Sequence, residues 1–540
     1  MTTGLDTAKR LKDIEASVDW QAAQTAAGGY DPELNVLAAK HIENSLPPDG
    51  EEADEGEPLV HEAAHAEVLA AAWRGLYRWA VHEGAWRRWS GQVWEIAGEP
   101  QVVAAAQFAL RRHYGLALAA KQSKADDKRL RDLHVETCRY QSVLAGLAFL
   151  KGADGFYTDF EAWDADPYAL NCADGILDVR TQTLGPHDPE ALCTRIARWS
   201  YADETNTGAW QRHLELCLPD PDVRRQVQRD LGRALVDAVL EHSLPIWYGV
   251  GRNGKSTTQD ALQQGLDGYA RQAAKNLLMA SKYERHTTEI AELAGSRLVF
   301  SEEIAAGKDL DEAQVKKLTG GGPQTARFMR QDNFTFKQTF SIFLLTNHHP
   351  VVAGTDKAIW ARLRLVPWTV SIPFAQQRPQ DEVVAELLAD GSWMLRWMVA
   401  GFADWQADHH WIAGEVQAAT AAYRAEQDRL AGFIADACEE KPYAQVAVAD
   451  LYAAYGSWCI AAGEVTLGKN DFGKALIDRG FSRKKVSHGE RVWVGIRLQN
   501  ETKVALGGTD SVLVSREHSL RDEPEKVPPS ATQTENEVSF

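Results

Sequence analysis

The stretch Gly249-Val-Gly-Arg-Asn-Gly-Lys255-Ser256 decides the fold. It follows Leu244-Pro-Ile-Trp-Tyr248, a short apolar run typical of a buried strand, and it precedes Thr257-Thr-Gln-Asp-Ala-Leu-Gln263, which starts a helical pattern. Glycines let backbone N–H groups converge on a phosphate, and the helix N-terminus adds partial positive charge. Strand, glycine loop and helix in this order predict a nucleoside triphosphate site.

Each polar position of the motif has an expected role in binding ATP. Lys255 would reach the β- and γ-phosphate oxygens, and the Ser256 hydroxyl would bind Mg²⁺. The residues expected to contact ATP are Gly249, Gly251, Asn253, Gly254, Lys255, Ser256 and Thr257. The alternative is a glycine turn without a ligand, and the complete motif in this context argues against it.

Two glutamates follow a second apolar strand, Arg297-Leu-Val-Phe-Ser-Glu302-Glu303, which we expect to neighbour the first. One carboxylate would hold Mg²⁺ and the other would polarise the attacking water. We assign Glu302 to the metal and Glu303 to the base, and the reverse order stays open. A solvated pair of surface glutamates is the alternative.

A third apolar strand ends at Asn347, which is placed to sense the γ-phosphate or to position the water; capping of the strand end is the alternative. Beyond it, Arg362 and Arg364 lie too far along the chain to belong to the same phosphate cradle. In ring ATPases such an arginine enters the neighbour's site and stabilises transition-state charge. We select Arg362 for this role and Arg364 second, with an ordinary surface salt bridge as the alternative.

With these residues in place, the chain resembles the superfamily 3 helicases of the phage and plasmid primase–helicase family, which includes the poxvirus helicase–primases. That superfamily packs its motifs into a short span, and Lys255 and Asn347 are 92 residues apart here. The segment Glu312–Arg330 resembles the family's channel-facing hairpin, whose basic side chains hold the DNA backbone. Its candidate DNA-binding residues are Lys316, Lys317, Arg327 and Arg330.

Two positions depart from the family pattern, and one upstream segment follows it. Gly322 stands where the family usually has an acid, and Ala361 replaces a frequent arginine, which favours Arg362 as the residue that acts in the neighbouring site. Ala173-Asp-Gly-Ile-Leu-Asp178-Val-Arg-Thr181 resembles the domain that precedes the motor in this group.

The resemblance implies an α/β P-loop ATPase core of the AAA+-like superfamily 3 type, with a mainly helical N-terminal domain and a C-terminal winged helix. It implies ATP and Mg²⁺ as cofactors and a homo-oligomer, expected as a hexameric ring, moving 3′ to 5′ on single-stranded and forked DNA. The expected divisions are a disordered acidic N-terminus (1–60), a helical pre-motor domain (61–240), the ATPase core (241–375), a helical segment (376–440), a winged-helix-like domain (441–500) and a disordered tail (501–540).

The net charge of −18 is unevenly distributed along the chain, which keeps nucleic-acid binding open. Residues 1–60 carry 13 acids against 4 bases, and residues 501–540 carry 8 acids against 4 bases. Between Thr466 and Leu498 there are eight bases against three acids, a net of +5. This excess, with Lys484 and Lys485 at the start of an expected hairpin, favours a second DNA contact, and a merely solvated face is the alternative.

Three functional classes remain open: a replicative DNA helicase, an ATP-switched origin-binding or loader scaffold, and a P-loop small-molecule kinase. Priming is not expected, because the only candidate for a two-metal site, Asp164-Ala-Asp166, falls inside the region assigned to the pre-motor domain. A separate primase or other replication proteins would be partners. The six scattered cysteines form no C-x-x-C pair, which favours a reducing cytoplasm, that of a bacterial host if the source is a phage or prophage. No apolar run is long enough to predict a membrane span.

Overall fold

The computed structural model describes residues 61–119, 124–281, 286–302, 308–329, 332–352, 357–486 and 489–499. They form two compact units, one ending at Gln427 and the other beginning at Asp428. The two ends expected to be disordered, 1–60 and 501–540, lie outside the described residues. None of the described helices is both long and apolar enough to cross a lipid bilayer.

The first unit begins with helices around a small sheet whose strand order is β3-β2-β1-β4. Strands β2 and β3 flank Ser90 and Gly91, and Trp73, Leu110 and Phe156 lie in the core beneath them. The elements are, in chain order, α1 (His61–Trp73), β1 (Tyr77–Ala80), β2 (Ala85–Trp89), β3 (Trp94–Ala97), α2 (Glu99–Ala119), α3 (Lys124–Glu136), α4 (Tyr140–Leu150), β4 (Tyr157–Thr158), β5 (Ala169–Cys172), β6 (Gly175–Asp178) and β7 (Thr183–Gly185).

Residues 61–240, expected to form a helical pre-motor domain, also contain strands. Strands β5, β6 and β7 form a separate antiparallel sheet in that order. The Asp178 carboxylate stabilises the turn between β6 and β7 by accepting from the backbone N–H groups of Arg180 (2.8 Å) and Thr181 (3.2 Å). From 186 to 208, all of which is described, there is no α-helix.

A five-stranded parallel sheet forms the centre of the first unit, in the order β14-β8-β13-β10-β9. An antiparallel hairpin, β11–β12, stands apart from it. The elements are, in chain order, α5 (Ala209–Cys217), α6 (Pro221–Arg233), β8 (Leu244–Tyr248), α7 (Lys255–Leu266), β9 (Ala270–Gln272), α8 (Thr288–Ala291), β10 (Leu298–Glu302), α9 (Glu312–Leu318), β11 (Pro323–Ala326), β12 (Phe334–Lys337), β13 (Ser341–Thr346), α10 (Lys357–Trp360) and β14 (Leu363–Pro367).

The central strands are apolar on both faces because each face is covered. Successive side chains of a strand point to opposite faces. Accordingly Trp247, Phe300 and Phe343 belong to one hydrophobic core, whereas their neighbours Ile246, Val299 and Leu344 belong to another. The continuous apolar runs that predicted buried strands therefore correspond to a sheet between two cores.

Three helices follow the sheet: α11 (Gln380–Ala389), α12 (Gly391–Ala407) and α13 (Gly414–Gln427). Helix α12 packs against α6, and the Asp404 carboxylate binds Arg225 (2.8 Å) and Arg229 (3.0 Å). Residues before and after the sheet thus share one core, and the expected boundary at residue 240 does not separate two hydrophobic cores.

The second unit contains an antiparallel sheet of order β15-β17-β16 beside three helices. Its elements are α14 (Arg429–Ala437), β15 (Cys438–Ala447), α15 (Val448–Ala462), α16 (Lys469–Asp478), β16 (Ser482–Lys485) and β17 (Arg491–Leu498). Helices α15 and α16 are followed by the hairpin β16–β17, with Gly489 at φ +87° in its turn. The expected start at residue 441 falls inside β15, because Cys438 already pairs with Leu498.

Candidate active site

The segment from Gly249 to Gly254, here called the glycine loop, joins the buried strand β8 to the first residue of α7. It turns back on itself at once, since the Gly251 N–H donates to the Gly249 carbonyl (2.9 Å). Gly251 and Gly254 have φ values of +90° and +84°, a region that favours glycine. Strand, loop and helix therefore occur in the predicted order, with the loop at the carboxyl edge of the sheet.

Close approach of other segments requires glycine at two positions of the loop. A Cβ on Gly249 would lie 2.1 Å from the Trp368 carbonyl oxygen, just after β14. A Cβ on Gly254 would lie 2.2 Å from Sγ of Cys217, at the end of α5. The loop is held between these two segments, and neither contact was evident from the sequence.

Lys255 is the first residue of α7, and only 5% of its surface is exposed. Its Nζ donates to the Gly249 carbonyl (2.7 Å) and to Oδ1 of Asn347 (3.1 Å), just beyond the end of β13. Burial lowers the pKa of the Lys255 ammonium to about 8, so the group still carries its charge at neutral pH. The structure thus joins two predicted residues that lie 92 positions apart.

The remaining predicted nucleotide ligands differ in their surroundings. Ser256 is exposed in the first turn of α7, and Thr257 is half-buried beside it. Asn253 is buried, and its Nδ2 donates to the Trp368 carbonyl (3.1 Å). The amide of Asn253 therefore secures the loop to the segment after β14.

Glu302 ends β10 and is half-buried. In register it lies opposite Leu345 of β13, which lies opposite Trp247 of β8. The expectation of a neighbouring strand is therefore wrong, because β13 lies between; at a spacing of ~4.8 Å per strand Glu302 is two strands from β8. Both strands still end at the same edge of the sheet. Glu303 lies outside the described residues.

Arg362 and Arg364 lie at the opposite edge of the sheet. Leu363 pairs with Leu244 at the start of β8, so Arg362 precedes the strand whose far end meets the glycine loop. The Arg362 guanidinium donates to the Ala358 carbonyl (2.8 Å), whereas Arg364 is paired with Glu241 (3.1 Å). Both line an open pocket of about 520 Å³ with Leu240, Glu241, His242 and Ala361. Neither arginine is brought to its own glycine loop.

The candidate DNA-binding residues of the first unit lie on α9 and on the β11–β12 hairpin. Lys316 and Lys317 are in the last turn of α9, and Arg327 is exposed just after β11; Arg330 lies outside the described residues. Gln338 joins these elements, since its Nε2 donates to the Leu318 carbonyl (2.6 Å) and its Oε1 accepts from the Gly321 N–H (3.1 Å).

The hairpin carries apolar as well as basic side chains at its turn. Phe328 and Met329 are 39% and 78% exposed, and the Phe328 ring stacks on Phe334 with centroids 5.5 Å apart. Gly322, where an acid was expected from the resemblance, would have space for a Cβ, because nothing lies within 4 Å of it.

Lys484 and Lys485 lie on β16, all four residues of which are exposed. The neighbouring Arg483 guanidinium lies over the ring of Trp493, 4.5 Å from its centroid. The basic residues at this hairpin therefore face solvent.

The two aspartates considered for priming are engaged within the fold. Asp164 accepts from the Thr194 N–H (2.8 Å) and from Arg195 (3.1 Å), and Asp166 accepts from the Tyr168 N–H (2.9 Å). Each carboxylate therefore stabilises a local turn or loop.

Sequence reasoning did not find the polar support behind α7. His213 of α5 is buried and its Nε2 hydrogen-bonds the Thr258 hydroxyl (2.8 Å). Burial lowers the pKa of His213 to about 4, so the ring is neutral, and burial raises the pKa of the nearby Cys217 thiol to about 12. Because α5 lies about forty residues before the motif, no local pattern links the two.

Three segments of the chain match models of known protein families. The model described as "D5 N terminal like" matches residues 66–219, and "Poxvirus D5 protein-like" matches 425–497. Between these segments, residues 247–362 match a family of unknown function, DUF5906. The resemblance to poxvirus helicase–primases stated from the motifs is confirmed.

Proteins similar to this chain occur in large DNA viruses. A candidate helicase of Acanthamoeba polyphaga mimivirus, L207/L206, is 26% identical over 214 residues, which is 38% of this chain and 22% of that protein. A candidate primase of African swine fever virus (strain Badajoz 1971 Vero-adapted), C962R, is 22% identical over 322 residues, 55% of this chain and 33% of that protein. A candidate helicase of Frog virus 3 (isolate Goorha), 022R, is 25% identical over 263 residues, 45% and 27% of the two chains. The matches thus span a third or less of these relatives.

Among solved structures, the chain is similar to the apo structure of the NrS-1 C terminal region. The TM-score is 0.35 at 10% identity, and the match covers 55% of this chain and 77% of that chain.

Proposed function

We propose that this chain is an ATP-dependent DNA helicase that hydrolyses ATP at sites between the subunits of a ring and thereby moves on single-stranded DNA. The observation that carries the proposal is the contact between Lys255, directly after the glycine loop, and Asn347, just beyond the end of β13 (3.1 Å), on the same sheet edge as Glu302. A phosphate cradle, a polar residue at the γ-phosphate position and a carboxylate are the groups that phosphoryl transfer to water needs.

The residues at this edge suit ATP with Mg²⁺. Backbone N–H groups of the glycine loop and of the first turn of α7 would bind the phosphates, and Lys255 would add its charge. Ser256 and Glu302 offer oxygen ligands, which Mg²⁺ prefers. Bound Mg²⁺ would neutralise part of the negative charge that develops on the phosphates.

Within this proposal Asn347 positions the attacking water or contacts the γ-phosphate. Its Oδ1 accepts from Lys255, which leaves its Nδ2 as a donor toward the site. Glu303 is proposed as the general base and Glu302 as the metal-side residue, in the order assigned from the sequence.

Arg362 is proposed to complete the site of an adjacent subunit. Its position at the amino end of β14 supports this role, because the glycine loop lies at the other end of the paired strand. A site that needs residues from two chains also supports assembly as a ring, with six subunits expected from the resemblance.

DNA binding is proposed at the β11–β12 hairpin and at the winged-helix-like second unit. Exposed Arg327, with Lys316, Lys317 and Arg330, would neutralise backbone phosphates in the first unit. Exposed Lys484 and Lys485 on β16 would do so in the second. The order helix, strand, helix, helix, hairpin supports the winged-helix assignment.

The test uses the full chain, ATP, Mg²⁺ and a duplex with a 3′ single-stranded tail. We expect ATP turnover that DNA stimulates, together with strand displacement. Stimulated turnover without displacement would indicate the ATP-switched loader, which the exposed basic strand of the second unit favours as the second candidate. Turnover that DNA does not change, with no displacement, would refute a motor on DNA.

A further inference from the structure

Two large apolar side chains beside the glycine loop are exposed to solvent. Val250 within the loop is 75% exposed, and Phe374, in a short 3-10 turn after β14, is 85% exposed. An aromatic ring at this exposure adds nothing to the hydrophobic core of the chain. Because it is exposed beside the proposed ATP site, the ring is accessible to a ligand bound there.

The segment that carries Phe374 is fastened both to the end of β8 and to the glycine loop. The Trp368 N–H donates to the Tyr248 carbonyl (2.7 Å), and the Ile372 N–H donates to the Arg252 carbonyl (2.8 Å). Nε2 of Gln377 then donates to the Ile372 carbonyl (2.8 Å), which closes the turn around Phe374. Phe374 is thus held two residues from a direct hydrogen bond to the loop.

The sheet order gives a direction to a nucleotide bound at the loop. Strand β8 lies between β13 and β14. Lys255 and Asn347 meet on the β13 side, and Glu302 lies one strand farther in the same direction. The γ-phosphate end therefore points toward β13 and β10. The nucleoside end points the other way, toward β14 and the segment 368–377.

We propose that Phe374, with Val250, forms the platform on which the base of the bound nucleoside triphosphate stacks. The inference rests on the proposed ATP site and adds a second, base-binding part to it. Stacking on an aromatic face tolerates different bases, because every base has a π-face. The chain is therefore expected to bind ATP and GTP with affinities within about tenfold of each other.

The test measures binding to the full chain by titration calorimetry with Mg–ATP, Mg–GTP and inorganic tripolyphosphate, a probe that has the phosphates but no base. Phe374→Ala is expected to weaken both nucleotides by about tenfold and to leave tripolyphosphate unchanged, because loss of one base–aromatic stack acts only on the base. Phe374→Trp should restore nucleotide affinity. Phe149→Ala removes another exposed aromatic ring, 60% exposed on α4, and should change none of the three.

Two results would overturn the platform. One is unchanged ATP affinity in Phe374→Ala; if assembly is altered in sedimentation at the same time, Phe374 is a contact between copies of the chain. The other is equal weakening of ATP and tripolyphosphate, which indicates a disturbed loop. The proposed function fails separately, if the unmodified chain and Lys255→Ala bind ATP equally poorly.

Discussion

Replacing Arg362 with alanine is expected to remove ATP hydrolysis while ATP binding stays intact. Residues 363–367 of β14 run parallel to and in register with residues 244–248 of β8, and the glycine loop follows directly. From the level of Arg362 to the level of Gly249 the chain rises six residues, about 20 Å at ~3.3 Å per residue. The Arg362 guanidinium cannot cover that distance within its own subunit, so any catalytic effect must be exerted on a neighbour.

The magnitude expected for such an arginine is a fall in kcat of about 10³- to 10⁵-fold. Mixing Arg362→Ala with Lys255→Ala subunits tests the geometry directly. A site is complete only where Lys255 of an Arg362→Ala subunit meets Arg362 of a Lys255→Ala subunit. Random 1:1 assembly therefore makes about one quarter of the sites complete, because each of the two conditions is met half the time in a head-to-tail ring. Turnover should recover toward that fraction.

Steady-state ATPase measurements on the separate and mixed variants provide the assay, with subunit exchange verified by fluorescence energy transfer between labelled subunits. Arg364→Ala is the matched control, because its guanidinium is held by Glu241 (3.1 Å) and should contribute little to turnover. If exchange occurs and the mixture stays inactive, Arg362 does not act across the interface. If Arg364→Ala is inactive and mixing with Lys255→Ala subunits restores its turnover, the role belongs to Arg364.

Gly254→Ala should lower the free energy of unfolding by about 2–5 kcal/mol, because the position has a positive φ and the added Cβ would overlap Sγ of Cys217. Thermal denaturation should show partial recovery in the double variant Gly254→Ala/Cys217→Ala, and no recovery would mean that this contact is not the cause. ATP affinity should fall as pH rises above about 8, by up to about tenfold per pH unit, because bound phosphate raises the pKa of Lys255 and binding then takes up a proton. Calorimetry from pH 7.5 to 9.5 tests this, and a dissociation constant that does not vary would contradict it. Arg327→Ala should leave basal ATPase activity unchanged and reduce by about one the slope of the logarithm of DNA affinity against the logarithm of salt concentration. Filter binding measures this slope, with Arg198→Ala as the control for an exposed arginine, and an unaltered slope would mean that the hairpin does not contact DNA.

The parts of the site that were predictable depend on short, continuous patterns. The glycine loop, its flanking strand and its helix are specified within about twenty residues, and the apolar strands ending at Glu302 and Asn347 are recognised in the same local way. These strands end at one edge because all strands of the central sheet run parallel. Because Lys255 and Asn347 both lie at that edge, their contact was foreseeable from the sequence.

The parts that were missed depend on strand order and on packing between distant segments. Adjacency in sequence suggested that the glutamate strand lies beside β8, but β13, later in the chain, is inserted between them. The partners of the loop, Cys217 and Trp368, come from either side of the motif and carry no pattern that points to it. Their effect is seen only in the structure, where they occupy the space that a Cβ on Gly254 or Gly249 would need.

The structure also distinguishes the two arginines that the sequence ranked, Arg362 first and Arg364 second. Arg364 shares Glu241 with Arg233, so its charge is already compensated within the chain. Arg362 donates one bond to Ala358, while its buried Nε has no hydrogen-bond partner among the described residues. An unpaired buried donor costs about 1–3 kcal/mol. An isolated subunit carries this cost. A phosphate that a neighbouring subunit brings into the pocket beside Arg362 would remove it by accepting a hydrogen bond from the guanidinium. The same pairing of Glu241 with two arginines limits the repulsion that its carboxylate would exert on that phosphate. In the proposed ring, the amino edge of the sheet would therefore receive an anion from the neighbouring subunit.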